Sequence, residues 1–210
     1  MTAIADRVGI GPATAVLDVG CGSGRFCALA AARGAAVHGL DASPPEIERA
    51  RDRVPAGDFR VGFMEELPWP GGSFDVVTGF NAFQYALDID LALGEARRVA
   101  RPGGSIAICK WARPEDNEFF ALLIALGVGR PAGRDPMDDA IRRARLEVVV
   151  SGDVPAPMEM PDEAALEAAL RAAGAVVDRH RLLDAASPFL GPDGSYRFEN
   201  RLRYLTVGVS

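Results

Sequence analysis

Lys110 is the only lysine of the chain, and the rest of its 23 basic residues are arginines. Set against 29 acidic residues, they leave a formal net charge of -6. That balance argues against nucleic acid as a partner, because such binding is dominated by cationic contacts to phosphates. Cysteine is also scarce. Cys21, Cys27 and Cys109 lie in or beside apolar segments and show no metal-ligand spacing, so buried free thiols in a reducing compartment are expected, with no bound metal. No apolar run is long enough to span a bilayer. The opening Met1-Thr2-Ala3-Ile4-Ala5-Asp6-Arg7 is too polar for a signal peptide, so the expected location is cytoplasmic and no membrane partner is expected. Internal repeats and low-complexity tails are lacking. What remains is 210 residues, 49% of them apolar, enough for one domain with a sizeable core.

The chain is organised around Val16-Leu17-Asp18-Val19-Gly20-Cys21-Gly22-Ser23-Gly24. The apolar residues from Ala15 read as a buried strand. The glycines let the backbone turn tightly and approach a ligand, because no Cβ intervenes. Arg25 to Arg33 reads as a helix with Phe26, Leu29 and Ala30 on its apolar face. A strand, a glycine-rich turn and a helix open a nucleotide-binding α/β sheet. Gly20, Gly22 and Gly24 lack the Gly-x-Gly-x-x-Gly spacing of dinucleotide binders, and Lys110 has no Tyr-x-x-x-Lys partner, which disfavours a nicotinamide oxidoreductase. A second acidic residue, Asp41, ends the next apolar strand, Ala36 to Leu40, where a carboxylate can accept both hydroxyls of a ribose.

This pattern resembles motif I and the following acidic motif of the class I S-adenosylmethionine-dependent methyltransferases, of the small-molecule, methyltransferase-11-like type. The resemblance continues through Glu65-Glu66-Leu67-Pro68-Trp69-Pro70, Gly72-Ser73-Phe74-Asp75-Val76-Val77 and Glu95-Ala96-Arg97-Arg98-Val99-Ala100-Arg101-Pro102-Gly103-Gly104, covering Ala15 to about Lys110 in order. It implies an α/β, Rossmann-like, seven-stranded sheet of order 3-2-1-4-5-7-6, with the last strand antiparallel, helices on both faces and a small helical lid after the fifth strand. It also implies S-adenosyl-L-methionine as cofactor, with S-adenosyl-L-homocysteine as product. Gly20, Cys21, Gly22 and Gly24 are then expected against the methionine and ribose parts. Asp18 organises the loop or contacts the amino group. Asp41 takes the ribose hydroxyls, and Ala42 and Met64 border the adenine. Phe80, Asn81 and Gln84 belong to the segment beneath the methionine part. Phe63 stands where the resembling proteins usually carry an acid that accepts from the adenine amine. It either stacks on the adenine or packs in the core. The missing acceptor costs roughly 1 to 3 kcal/mol of cofactor binding.

Along the chain, 1–14 is a short N-terminal segment, 15–111 the cofactor-binding core, 112–160 the expected lid and 161–210 a C-terminal helix and hairpin. Ser43-Pro44-Pro45-Glu46 reads as a helix start with Ser as cap. Helices are expected over Asp88 to Ala100, Glu115 to Leu126, Pro136 to Leu146 and Pro161 to Ala173. The two in the middle are separated by a Gly-rich turn from Gly127 to Gly133. Val148 to Met160 reads as irregular, Ala175 to Leu183 as the sixth strand and Tyr196 to Val209 as containing the last.

Methyl transfer from a sulfonium is a direct displacement, so the protein chiefly brings an O, N or C nucleophile of a small molecule into line. A base is needed only if the nucleophile arrives protonated. No catalytic residue is indicated: His38 and His180 lie in expected strands, leaving Tyr85, Glu65 and Asp116. Two further expectations are a possible homodimer and, as an alternative function, a protein that keeps the pocket without methylating, either a cyclase or a regulatory binding module.

Overall fold

The computed structural model describes residues 1–128 and 135–209. Helix α1 (Thr2–Arg7) leads to strand β1 (Ala15–Val19), helix α2 (Arg25–Ala32), strand β2 (Ala36–Asp41), helix α3 (Pro44–Arg53), strand β3 (Asp58–Val61), strand β4 (Phe74–Phe80), helix α4 (Ile89–Val99) and strand β5 (Ala100–Trp111). Helices α5 (Glu118–Ala125) and α6 (Pro136–Arg143) precede strands β6 (Glu147–Pro155) and β7 (Met158–Met160). Helices α7 (Glu163–Ala172) and α8 (Arg179–Ala186) and strands β8 (Tyr196–Phe198) and β9 (Arg201–Gly208) complete the chain.

Seven strands form one sheet in the order β3-β2-β1-β4-β5-β9-β6, which is the expected α/β order with β9 as the seventh strand. β1 pairs parallel with β2 and β4, β2 with β3, and β4 with β5. β9 runs antiparallel to β5: the Gly103 amide donates to the Val209 carbonyl (2.7 Å), and the Ala112 amide to that of Arg201 (3.0 Å). β7 and β8 make a separate antiparallel ribbon. The central strands are near-continuous apolar runs because both faces are covered. Leu17, Val77, Ile106 and Leu93 lie in one core cluster. Phe26, Cys27, Ile47 and Ala50, from α2 and α3, lie in another with Val16 and Val76.

Two compact units are distinguished. The first comprises 1–110, 135–152 and 204–209, and so holds most of the sheet. The second comprises 111–128 and 153–203, with its own core of Phe119, Leu122, Leu166, Leu182 and Phe198. Of the range expected as a lid, 135–152 belongs to the first unit. Asp135 explains part of this: one carboxylate oxygen caps α6 by accepting the Met137 amide (3.0 Å), and the other pairs with the Lys110 ammonium. The expected turn from Gly127 to Gly133 falls partly outside the described residues.

The sixth strand is not at Ala175 to Leu183, where it was expected. Ala175 to Leu183 holds an extended connection and the start of α8, whose first turn is capped by Asp178 accepting the amides of His180 (3.0 Å) and Arg181 (3.2 Å). The strand is β6, inside the range read as irregular. Val148-Val149-Val150 supplies a β-branched run, and the nearby prolines mask it. Ser43 is the N-cap of α3, but its side chain makes no capping bond.

Candidate functional site

A cavity of about 290 Å³ opens in the first unit at the C-terminal ends of β1 to β4. This is the crevice where open α/β sheets bind ligands, beside the point where strand order reverses. Each strand end contributes a piece of wall: Gly20 after β1, Leu40, Asp41 and Ala42 at the end of β2, Gly62 to Glu65 after β3, and Asn81, Ala82 and Tyr85 to Leu87 after β4.

The glycine loop is pinned to the end of β2. Amides of Gly20 and Cys21 both donate to the Leu40 carbonyl, at 2.8 and 3.0 Å. The Gly22 amide donates to Asp41 Oδ2 at 2.8 Å, and the Ser43 amide to Asp41 Oδ1 at 2.9 Å. Each carboxylate oxygen therefore holds one backbone N–H and retains further acceptor capacity, since an ionised carboxylate has about four lone-pair sites. The conformation requires glycine at position 20: φ is +67°, and a Cβ would lie 2.5 Å from the Ala82 Cβ. Gly24, at φ +73°, caps α2 and lets it pack against α3, where a Cβ would meet Ala50 at 3.1 Å.

The opposite walls are tied by one carboxylate. Glu65 Oε1 accepts the amides of Leu87 (2.6 Å) and Asp88 (3.2 Å), linking the loop after β3 to the entrance of α4. Asn81 adopts φ +51°, a left-handed conformation that its short polar side chain tolerates better than most. Its amide donates to the Cys109 carbonyl (2.6 Å), and its side-chain oxygen accepts from Gln84 Nε2 (3.3 Å).

Residues 17–108 match the family described as "Methyltransferase domain". Residues 17–108 thus form a methyltransferase domain of the class I, S-adenosylmethionine-dependent kind. The chain is 39% identical over 103 residues to a malonyl-[acyl-carrier protein] O-methyltransferase of Salmonella typhimurium, covering 48% of this chain and 41% of that protein. It is 32% identical over 143 residues to a ubiquinone biosynthesis O-methyltransferase of Mesorhizobium japonicum, covering 65% and 57%. The chain spans about half the length of the curated relatives it matches. A crystal structure of a putative methyltransferase from Bacillus halodurans superposes with a TM-score of 0.73 at 15% identity, over 98% of this chain and 96% of that one, which shows shared fold alone.

Within the methyltransferase domain, the residues expected to contact the cofactor divide into two groups. Gly20, Asp41, Ala42, Phe63, Met64 and Asn81 line the cavity. Asp18, Cys21, Gly22, Gly24, Phe80 and Gln84 are not in its lining. Gly22 reaches the site through its hydrogen bond to Asp41, and Gln84 through its bond to Asn81. The Phe80 ring packs on Phe26 of α2, with centroids 4.4 Å apart. Cys21 is buried, its thiol against the Gly22 carbonyl (3.5 Å).

Asp18 is 2% exposed. Its carboxyl accepts the Thr78 hydroxyl (2.7 Å) and the Cys27 thiol (3.7 Å). Burial pushes its pKa up to about 7. The two hydrogen bonds work against that rise, and the Asp41 charge adds a little to it. Cys27 is held protonated by hydrogen bonding with Cys21, by burial and by Asp18. Leu40, Gly62, Ala82, Ala86 and Leu87 complete the wall and were not anticipated. Of these, only Leu40 and Gly62 carry a sequence signal, as neighbours of a strand end. The two first-unit candidates for a base, Glu65 and Tyr85, both line the cavity, whereas Asp116 belongs to the second unit. His38 packs between Phe74 and Trp69, with centroids at 5.0 and 6.2 Å, in the body of the sheet. His180 is an exposed residue of α8.

Proposed function

We propose that the protein transfers a methyl group from S-adenosyl-L-methionine to an O, N or C nucleophile of a small molecule. The observation that carries this reading is Asp41: a carboxylate at a strand end, oriented by the Gly22 and Ser43 amides, facing a cavity whose neighbouring wall is a glycine loop without a Cβ. That donor set fits a ribose diol against the carboxylate and an extended chain over Gly20 and Asn81. When bound, S-adenosylmethionine supplies a methyl group already activated on a sulfonium.

The protein's own part is then orientation and exclusion of water, which places the reacting atoms in line. Asp41 fixes the ribose. Gly20 allows close backbone approach, and the Asn81–Gln84 pair presents amide groups to the polar end of the ligand. Glu65 is engaged by two backbone amides, so its support for this reading is structural, and Tyr85 is the remaining protic group of the wall. Oxygen acceptors are the first class to screen, because two of the relatives are named O-methyltransferases. The partner set proposed with this activity is a small-molecule acceptor, no nucleic acid and a second copy of the chain.

Calorimetric titration with S-adenosylmethionine and S-adenosylhomocysteine tests the reading. Micromolar binding by the wild type, lost in Asp41→Ala, is expected. No binding by the wild type would reduce the assignment to shared fold. The exposed Phe63 keeps a second reading in view, a pocket-bearing protein that does not methylate. Tight binding with no methyl transfer across a broad acceptor panel would favour it.

A further inference from the structure

We infer that Phe63 makes the base end of this cavity indifferent to the group at purine C6, so that the base is held by stacking and its exocyclic amine is left unread. The inference rests on the cofactor reading above and deepens it. Its geometry follows from the strand order. Asp41 ends β2, with the glycine loop of β1 on one side and the end of β3 on the other, where the Gly62 amide donates to the Asp41 carbonyl at 3.0 Å. A nucleoside with its ribose at Asp41 and its chain over Gly20 and Asn81 directs its base towards residues 62–65.

An amine there needs an acceptor, and the side chains offered are poor ones. Phe63 and Met64 have no lone pair that competes with water for an N–H. The one carboxylate in that wall is Glu65, which is tied through Oε1 to the amides of Leu87 and Asp88; its Oε2 is the competing acceptor, which Glu65→Gln tests. Phe63 is 62% exposed and Tyr85 71%, so the rim presents aromatic surface that remains wet until something flat covers it. Stacking on an aromatic side chain is tolerant of base identity, because every base has a π-face. An amine at an open rim stays hydrated, so removing it changes little.

The test titrates the wild type with S-adenosylhomocysteine, with its analogue carrying hydrogen in place of the 6-amino group, and with its N6-methyl analogue. The expected result is three dissociation constants within about threefold of one another, a difference small against the tenfold that 1.4 kcal/mol represents. Phe63→Ala should weaken all three equally, by on the order of tenfold, as loss of one stacking platform does. Phe63→Asp should create a preference of about tenfold or more for the 6-amino ligand over its 6-hydrogen analogue, as one charge-assisted hydrogen bond would. A wild-type preference of that size for the amino ligand would overturn the inference, and its disappearance in Glu65→Gln would hand the amine to Glu65. Failure of all three ligands to bind would instead remove the cofactor reading itself.

Discussion

Asp18→Asn should stabilise the protein at neutral and alkaline pH, although it alters the central acidic residue of the glycine motif. The Asp18 carboxyl is buried, and its pKa is raised to about 7 from an ordinary 3.8. Between those values the native state binds a proton that the unfolded state has released, so native stability falls as pH rises through the window and levels off above it. At about 1.4 kcal/mol per pH unit, the full penalty is roughly 4 kcal/mol, of which roughly 2.5 kcal/mol develops between pH 5 and 8. Asparagine carries no charge to desolvate. Its oxygen can accept the Thr78 hydroxyl, and its amide lies beside the Cys27 sulfur. Urea denaturation of the ligand-free wild type and variant at pH 5, 6, 7 and 8 reads the difference directly. A lead of roughly 1.5 kcal/mol for the variant at pH 5 should widen to roughly 4 kcal/mol at pH 8. A gap that does not change with pH, or one that closes as pH rises, would refute the buried-carboxyl argument.

Three further substitutions probe the site and the sheet. Gly20→Ala combines a positive φ with a Cβ 2.5 Å from Ala82. It should cost about 2 kcal/mol or more in denaturation and abolish binding of adenosyl ligands. Gly22→Ala, with nothing nearer than 3.9 Å to its Cβ, is the control and should cost about 1 kcal/mol, from its φ of +50° alone. His38→Phe should raise the melting temperature by an amount equivalent to about 1 kcal/mol. It removes a buried Nδ1 with no hydrogen-bond partner in the structure and keeps the ring between Phe74 and Trp69. A lower melting temperature would show that Nδ1 has a partner in solution.

The parallel half of the sheet was legible because each unit of it is contiguous in sequence: an apolar run, a turn residue, then a helix of period 3.6. β1, β2, β4 and β5 fall where the apolar runs lie, and α4 starts at Asp88, whose side chain accepts the amides of Asp90 and Leu91. The antiparallel half was less so. Ala175-Val176-Val177 has strand chemistry, but Asp178 is an efficient helix cap, and the cap decided the outcome. The walls of the cavity divide in the same way. Asp41, Ala42, Met64 and Asn81 sit at strand ends, where ligand contacts are expected. Ala82, Ala86 and Leu87 reach the cavity through the 3₁₀ turn at Phe83–Tyr85 and a hydrogen bond between Glu65 and Leu87, partners 22 residues apart. Neither leaves a periodic trace.

Asp18 and Asp41 show most clearly where residue type stops being informative. Both are aspartates near the end of a strand beside the same loop, and both were expected at the ligand. Asp18 lies one residue short of the end of the central strand, paired with Gly39 on one side and Thr78 on the other. Thr78 and Cys27 donate to its carboxyl, and the side chain is buried away from water. Asp41 closes its strand at the edge of the cavity, where the amides of Gly22 and Ser43 orient it without burying it. The inward carboxyl holds its proton to about pH 7. A cationic ligand that drew the proton off Asp18 would therefore bind more tightly as pH rises towards 7.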